Sequence, residues 1–241
     1  MKETLFILIF VLCSSWLVCQ ESAEESGKPL NKYFHVGPLV SIPAFDYADT
    51  DIESDYSGFA RTGYGISFGY KEFLDKSPGY LHLGFDAIYQ PTRIYSEAEK
   101  FFESTGDYAA SRVENPAYLS FPLKAGLGLG TRKTKNNFYI EALVGFTFTK
   151  MLEGSMFIEQ LMPISGDERG TVYTETKWGH VVTFGGELGY LPNDRFAISV
   201  EYVQAHDAAI DFISRGVISG SDWTMHQQMF NLKFQFVFLK R

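Results

Sequence analysis

Cysteine is nearly missing from this chain: there are two, Cys13 and Cys19, both close to its start. The rest of the chain therefore has neither a disulfide framework nor a thiolate metal site, and an exported form must hold together by its sheet alone. A basic surplus is missing too. With 21 Lys and Arg against 29 Asp and Glu, the net charge is −8 and the pI is near 5.2. That excludes nucleic acid as a partner, since phosphates call for a basic face. Beyond the first residues no run of 18 apolar residues occurs, which excludes a helical membrane span. Enzyme signatures are also thin. The five histidines, His35, His82, His180, His206 and His226, have no metal-ligand spacing, and no HExxH, GxSxG or P-loop pattern is present. His82 and Asp86 share a strand face, but four residues of strand set their Cα atoms about 13 Å apart. No catalytic residue and no cofactor are expected.

What the chain has in plenty is aromatic side chains, 22 Phe and 14 Tyr, the residues that favour strands. The last stretch, "FNLKFQFVFLKR", sets Phe230, Leu232, Phe234, Phe236 and Phe238 on alternate positions, with Asn231, Lys233 and Gln235 between them. A strand sends alternate side chains to opposite faces, so this spacing predicts one apolar face that protein or lipid must cover.

The opening "MKETLFILIFVLCSSWLVCQES" has one lysine, an apolar run from Leu5 to Leu12 and then small and mixed residues, the outline of a secretory signal peptide. The expected division is a signal peptide over 1–19, a short periplasmic segment over 20–32 and a barrel over 33–241. A lipoprotein cut before Cys19 is disfavoured by the bulky Val18.

Eight segments alternate like the last. They run Phe34 to Ile42, Ala60 to Tyr70, Tyr80 to Tyr89, Tyr118 to Leu129, Phe138 to Phe148, Trp178 to Tyr190, Phe196 to Tyr202 and Gln228 to Phe238. Strict alternation over about ten residues is what a tilted membrane-spanning strand requires. Their links alternate between short ones of about five to nine residues and long ones of about 17 to 29. One end of the sheet therefore carries tight turns and the other carries loops, the asymmetry of outer-membrane barrels. Glycine settles which face meets lipid: Gly63, Gly65, Gly69, Gly84, Gly126, Gly128, Gly145, Gly185 and Gly189 fall opposite the apolar set. A narrow eight-stranded barrel has room inside for small residues and a few satisfied polar ones. The prediction is all-β: an eight-stranded antiparallel transmembrane β-barrel, up and down, with Phe230 to Phe238 facing acyl chains. Tyr70, Tyr80, Tyr89, Tyr118, Tyr139, Trp178 and Tyr190, near strand ends, are expected in interfacial girdles.

The patch "AYLSFPLKAGLGLG", with "FYIEALVGFTF" and the closing "FNLKFQFVF", resembles the PorT-like outer-membrane β-barrel family, small barrels of OmpA-like architecture. The resemblance covers the chain from about residue 33 onward. It implies a monomeric outer-membrane protein with a structural or accessory role, acting through its long loops on the cell surface or on an envelope secretion assembly. One departure is the ending: Leu239, Lys240 and Arg241 follow Phe238, where such chains often stop on an aromatic.

Inside the barrel the expected polar residues are Arg61, Lys71, Asp86, Lys124, Glu141, Glu187, Glu201 and Lys233. Asp86 is expected to meet Lys124, and Glu201 to meet Lys233, because an unpaired lumen charge costs several kcal/mol of desolvation. Such a plug would close the lumen. The first loop spaces Asp49, Asp51, Glu53 and Asp55 on alternate positions, but Ser54 stands where a calcium loop needs glycine and Ala60 where it needs a closing glutamate. It is read as an acidic loop near lipid head groups rather than a metal site. Phe101 with Phe102 and the stretch Met156 to Met162 are expected to fold over the mouth or meet a partner. Three alternatives keep distinct signatures: a lipid-modifying enzyme using His206, Asp207 or Asp211 with Ser214 or Ser219, a narrow channel, and a lipocalin-like binder with its apolar face inside.

Overall fold

The computed structural model describes residues 31–51, 57–74, 77–106, 108–131, 136–160, 169–173, 178–211 and 222–240. The elements in order are β1 (Lys32–Pro43), β2 (Gly63–Phe73), β3 (Gly79–Pro91), α1 (Ile94–Thr105), β4 (Tyr108–Glu114), β5 (Ala117–Gly130), β6 (Asn137–Leu152), β7 (Ser155–Gln160), β8 (Arg169–Tyr173), β9 (Gly179–Leu191), β10 (Phe196–Asp211) and β11 (Asp222–Lys240). Among the described residues, eight strands close in the order β1-β11-β10-β9-β6-β5-β3-β2, and β4-β7-β8 form a separate small sheet. Every barrel neighbour is antiparallel.

The period-2 pattern decides which side chain goes where. On β6, Phe138 is 68% exposed and the next residue, Tyr139, only 5%, and the alternation continues through Ile140 and Glu141 to Phe146 and Thr147. On β11, Phe230, Phe234 and Phe236 are exposed and Leu232 and Phe238 half-buried, while Asn231, Lys233 and Gln235 are buried. The outer face is apolar and the inner face polar, the reverse of a soluble barrel. A lipocalin-like arrangement is thereby contradicted.

Strand ends depart from expectation in two places. Ala60 makes only an isolated bridge to Thr92, and β2 starts at Gly63. Beyond β1 in the ring, β10 and β11 run on as a hairpin to Asp211 and Asp222, past an irregularity between Ala205 and Ala208. His206, Asp207 and Asp211 thus lie on strand rather than in a loop, while Ser214 and Ser219 lie outside the described residues. The predicted signal segment over 1–19 also lies outside them.

The long links carry structure of their own. In α1 the apolar residues Ile94, Tyr95, Ala98, Phe101 and Phe102 recur at helical spacing, and Gly106, at φ 72°, ends the helix by donating its N–H to the Phe102 carbonyl. Asn115 holds the helix start, its Oδ1 accepting from the Ser96 N–H at 3.0 Å and its Nδ2 donating to Ser96 Oγ at 2.6 Å. The buried side of α1 joins Tyr47, Phe59, Tyr118, Met151, Met156 and Met229 in one apolar cluster that covers the long-loop mouth. At the short-turn end a second cluster, Tyr33, Phe73, Tyr80, Tyr139, Leu191 and Val237, closes the other opening.

Candidate functional site

Between these two apolar layers lies a band of charge. In register across the wall, Glu141 of β6 stands opposite Glu187 of β9, and Glu187 opposite Glu201 of β10. Like charges placed directly opposite repel, so three carboxylates in a row need cations between them. Lysines from other strands supply them. Lys71 Nζ lies 3.3 Å from Glu141 Oε2 and 3.2 Å from Glu187 Oε1. Lys233 Nζ lies 2.8 Å from Glu187 Oε2 and 3.0 Å from Glu201 Oε2. Lys124 Nζ then joins Glu201 Oε1 to Asp86 Oδ2, at 2.5 Å each, and Lys233 stands 3.9 Å from the same Asp86 oxygen. Signs alternate along the whole chain of contacts. All seven side chains are essentially without solvent contact.

Neutral groups fill in around the ions. Asn231 Nδ2 donates to Glu201 Oε2 at 2.9 Å and the Tyr139 hydroxyl to Glu187 Oε1 at 3.0 Å. The Tyr139 ring also lies under Lys71 Nζ, 3.6 Å from the ring centre. His82 Nδ1 meets Glu141 Oε1 at 2.8 Å. Towards the loop end the polar contacts become uncharged: Gln227 Nε2 donates to Thr149 Oγ1 at 3.1 Å, and the Ser120 and Thr149 hydroxyls lie 3.2 Å apart.

Arg61 is the lumen residue that the structure removes from the set. It is exposed, lies before β2 begins, and its N–H donates to the Pro91 carbonyl at the loop end. Its parity matched the inward face, but parity acts only within a strand, and the strand starts two residues later. Tyr80, Tyr118 and Tyr139 are likewise not girdle residues; all three point inward and are buried. The inward glycines explain how such rings fit. A Cβ on Gly128 would fall 2.2 Å from the Tyr80 ring, and one on Gly189 2.0 Å from the Tyr139 ring. Glycine here makes room for an aromatic neighbour, so the lumen is not limited to small residues. His35 is one of the inward residues that sequence reasoning missed; its odd position on β1, beside buried Leu39 and Ser41, was the available signal.

The acidic first loop is built for itself. Asp49 Oδ1 accepts the Thr50 N–H at 2.7 Å and the Asp51 N–H at 3.3 Å, and Oδ2 accepts the Ser57 hydroxyl at 3.0 Å. Those bonds, the Thr50 N–H first, hold the Asp49 carboxyl below its usual range. Glu53 and Asp55 lie outside the described residues. Among the described residues no group of three or more His, Cys, Asp or Glu is arranged to hold a metal ion.

A closed antiparallel barrel with an apolar outer face and a charged, desolvated interior is a transmembrane β-barrel of the outer-membrane type. No protein-family model matches the chain, and no curated protein matches it. Among solved structures it is similar to Ail, the attachment invasion locus protein of Yersinia pestis, at 10% identity over 88% of this chain and 100% of that one, with a TM-score of 0.42. It is similar to the outer membrane protein OprG of Pseudomonas aeruginosa at 8% identity over 88% and 98% of the two chains, TM-score 0.49. The Escherichia coli outer membrane protein W follows at 14% over 88% and 100%, TM-score 0.37. At such identities and scores the likeness carries no activity, ligand or partner across to this chain.

Proposed function

We propose that this chain is a non-conducting, non-enzymatic outer-membrane barrel of the PorT-like kind, with a structural or accessory role exercised through its external cap. One observation carries the reading: the alternating ion-pair chain of Lys71, Lys124 and Lys233 with Asp86, Glu141, Glu187 and Glu201 fills the lumen between two apolar layers. A path for ions would have to break several desolvated pairs at once. What is left free to meet other molecules is the long-loop end, where α1 and the sheet of β4, β7 and β8 form a folded platform. In this reading the chain is exported by a leader ending near residue 19, keeps 20–32 as a short periplasmic segment, works as a monomer and meets an envelope or secretion-assembly protein.

Planar-bilayer recording tests the closed lumen: the refolded protein is expected to insert without discrete conductance steps, and reproducible steps would overturn the reading. Replacing residues 94–114 by a short Gly-Ser turn tests the cap. Folding, seen as faster gel migration before boiling, is expected to persist while complementation of a deletion strain is lost. Full complementation by the shortened chain would remove the cap from the function.

A further inference from the structure

Two of the eight ladders that close the barrel are interrupted, each at a proline. Between β1 and β11 the pairing runs to Val36 with Phe236 and resumes in the same register at Leu39 with Lys233, so the pairs at Gly37 and Pro38 are missing. Between β3 and β5 it runs to Phe85 with Leu123 and resumes at Ile88 with Ser120, so the pairs at Phe121 and Pro122 are missing. Among the described residues the other six ladders keep every pair through the wall, and the β10–β11 irregularity lies beyond it. Pro38 keeps its pair with Ile66 of β2 and Pro122 its pair with Thr147 of β6, so each ring turns its missing N–H toward the broken side. A Cβ on Gly37 would overlap the Phe234 carbonyl oxygen, so the facing backbone comes too close there for any residue but glycine.

The two breaks divide the ring. In the order β1-β11-β10-β9-β6-β5-β3-β2 they separate β1, β2 and β3 from the other five strands. The lumen charges follow the same division. Lys71, His82 and Asp86 belong to the three strands, and among the described residues every ionic contact they make crosses to the five. Lys71 reaches Glu141 at 3.3 Å and Glu187 at 3.2 Å, and His82 reaches Glu141 at 2.8 Å. Asp86 reaches Lys124 at 2.5 Å and Lys233 at 3.9 Å. Beside them Gln235 Nε2 of β11 donates to Ser67 Oγ of β2 at 3.3 Å. The five-strand unit is tied within itself, Lys124 to Glu201 and Lys233 to both Glu187 and Glu201.

The two seams are held differently. β3 and β5 are joined through α1 and β4, and at the loop end both the Thr92 N–H and the Thr92 hydroxyl donate to the Pro116 carbonyl, at 3.1 and 2.7 Å. β1 and β11 are the first and last strands, so no loop joins them. Their loop end is tied by the Ala44 N–H donating to the Gln228 carbonyl at 2.8 Å and by His226 Nδ1 standing 3.3 Å from Asp46 Oδ2. At the short-turn end Lys32 stands in register with Lys240, a like-charged pair that weakens the pairing. We propose that β1, β2 and β3 form a lateral door in the barrel wall: the β1–β11 seam parts from its short-turn end, the β3–β5 seam bends as the hinge, and Lys71 with Glu141 and Glu187 is the latch. A ladder already short of pairs parts at lower cost than an intact one, because fewer backbone groups lose a partner in lipid. The latch holds because Lys71 must release two buried carboxylates as the seam parts. An open seam presents two unpaired strand edges, of the kind to which another strand adds. This goes beyond the accessory role proposed above and does not depend on it.

The full chain, with Cys13→Ser and Cys19→Ser, is refolded into lipid vesicles with nitroxide spin labels at one of two cysteine pairs. Val36→Cys with Phe196→Cys flanks Phe236 across the seam, and Phe138→Cys with Ile198→Cys flanks Tyr190 inside the five-strand unit. Each pair spans two strand spacings, about 10 Å, so both are expected to show dipolar broadening in the parent. Lys71→Met, which releases the latch, is expected to lose broadening at the seam pair and keep it at the control pair. Adding Pro38→Val, which restores an N–H to the seam, is expected to bring the broadening back. Unchanged broadening at the seam in Lys71→Met, loss at both pairs together, or no recovery with Pro38→Val overturns the proposal. If Lys71→Met fails to migrate as a folded barrel, amide hydrogen exchange of the parent decides. Exchange along the β1–β11 ladder at least about tenfold faster than along β6–β9 supports the door, and a smaller difference refutes it.

Discussion

Lys124→Met removes one ammonium from the middle of the charge chain while keeping most of the side chain's length. In the folded barrel Lys124 joins Asp86 to Glu201. Without it, Glu201 still has Lys233 at 3.0 Å and Asn231 at 2.9 Å, but the one lysine left beside Asp86 is Lys233, at the longer distance of 3.9 Å. The variant thus leaves a buried carboxylate poorly compensated, a situation that costs about 3–5 kcal/mol. That corresponds to about two to four powers of ten in the unfolding equilibrium. Urea unfolding in lipid vesicles, followed by tryptophan fluorescence and by unboiled gel migration, measures it. Adding Asp86→Asn to the same chain removes the stranded charge and is expected to restore at least about 1 kcal/mol, because the two side chains are coupled. A single variant within about 1 kcal/mol of the parent would refute the reasoning: the charges would then be solvated and the lumen open to water.

Gly189→Ala is expected to lower stability by about 1–3 kcal/mol in the same assay, since its Cβ would fall 2.0 Å from the Tyr139 ring in a filled interior; an unchanged midpoint would mean that the ring moves aside freely. Phe234→Arg, on the lipid face of β11, should cost about 2–4 kcal/mol, and Phe45→Arg, exposed in the turn beyond β1, under about 1 kcal/mol. Equal costs at the two sites would argue against the assigned membrane position. Asp49, whose carboxyl is held below its usual 3.8 by the Thr50 N–H and the Ser57 hydroxyl, stabilises the first loop fully above that pH. The contribution is lost as pH falls through the lowered value, so the Thr50 amide resonance should shift only in that more acid range, and a shift centred above 3.8 would contradict the bonding.

The barrel strands were legible because alternation is a local property. In "FYIEALVGFTF" each residue's face follows from its position alone, and the glycines named the inward side. The cap helix has a local signature too: Ile94, Tyr95, Ala98, Phe101 and Phe102 recur at helical spacing and Gly106 marks the end. The sheet of β4, β7 and β8 was not legible, since its β4–β7 edge pairs segments from two different long links, as Tyr108 with Gln160, while Met156 pairs with Val172 inside one link. Arg61 stays outside the lumen because parity has no meaning outside the strand, and Tyr80 and Tyr139 point inward because parity, not closeness to a strand end, sets the face.

By itself the sequence determined the class: alternate apolar residues with no helical span, links of alternating length and glycine on the polar face leave a membrane barrel as the arrangement that satisfies every backbone group in lipid. It also determined that charge lies inside. Which charges touch was decided only by closure of the sheet. Lys71 meets Glu187 across 116 positions and Lys124 meets Glu201 across 77, because side chains that share a barrel interior meet across the lumen rather than along the strand. The same closure brought His35 and His82 to either side of Gly69, a juxtaposition that depends on register and curvature, and those arise from the whole ring of strands together.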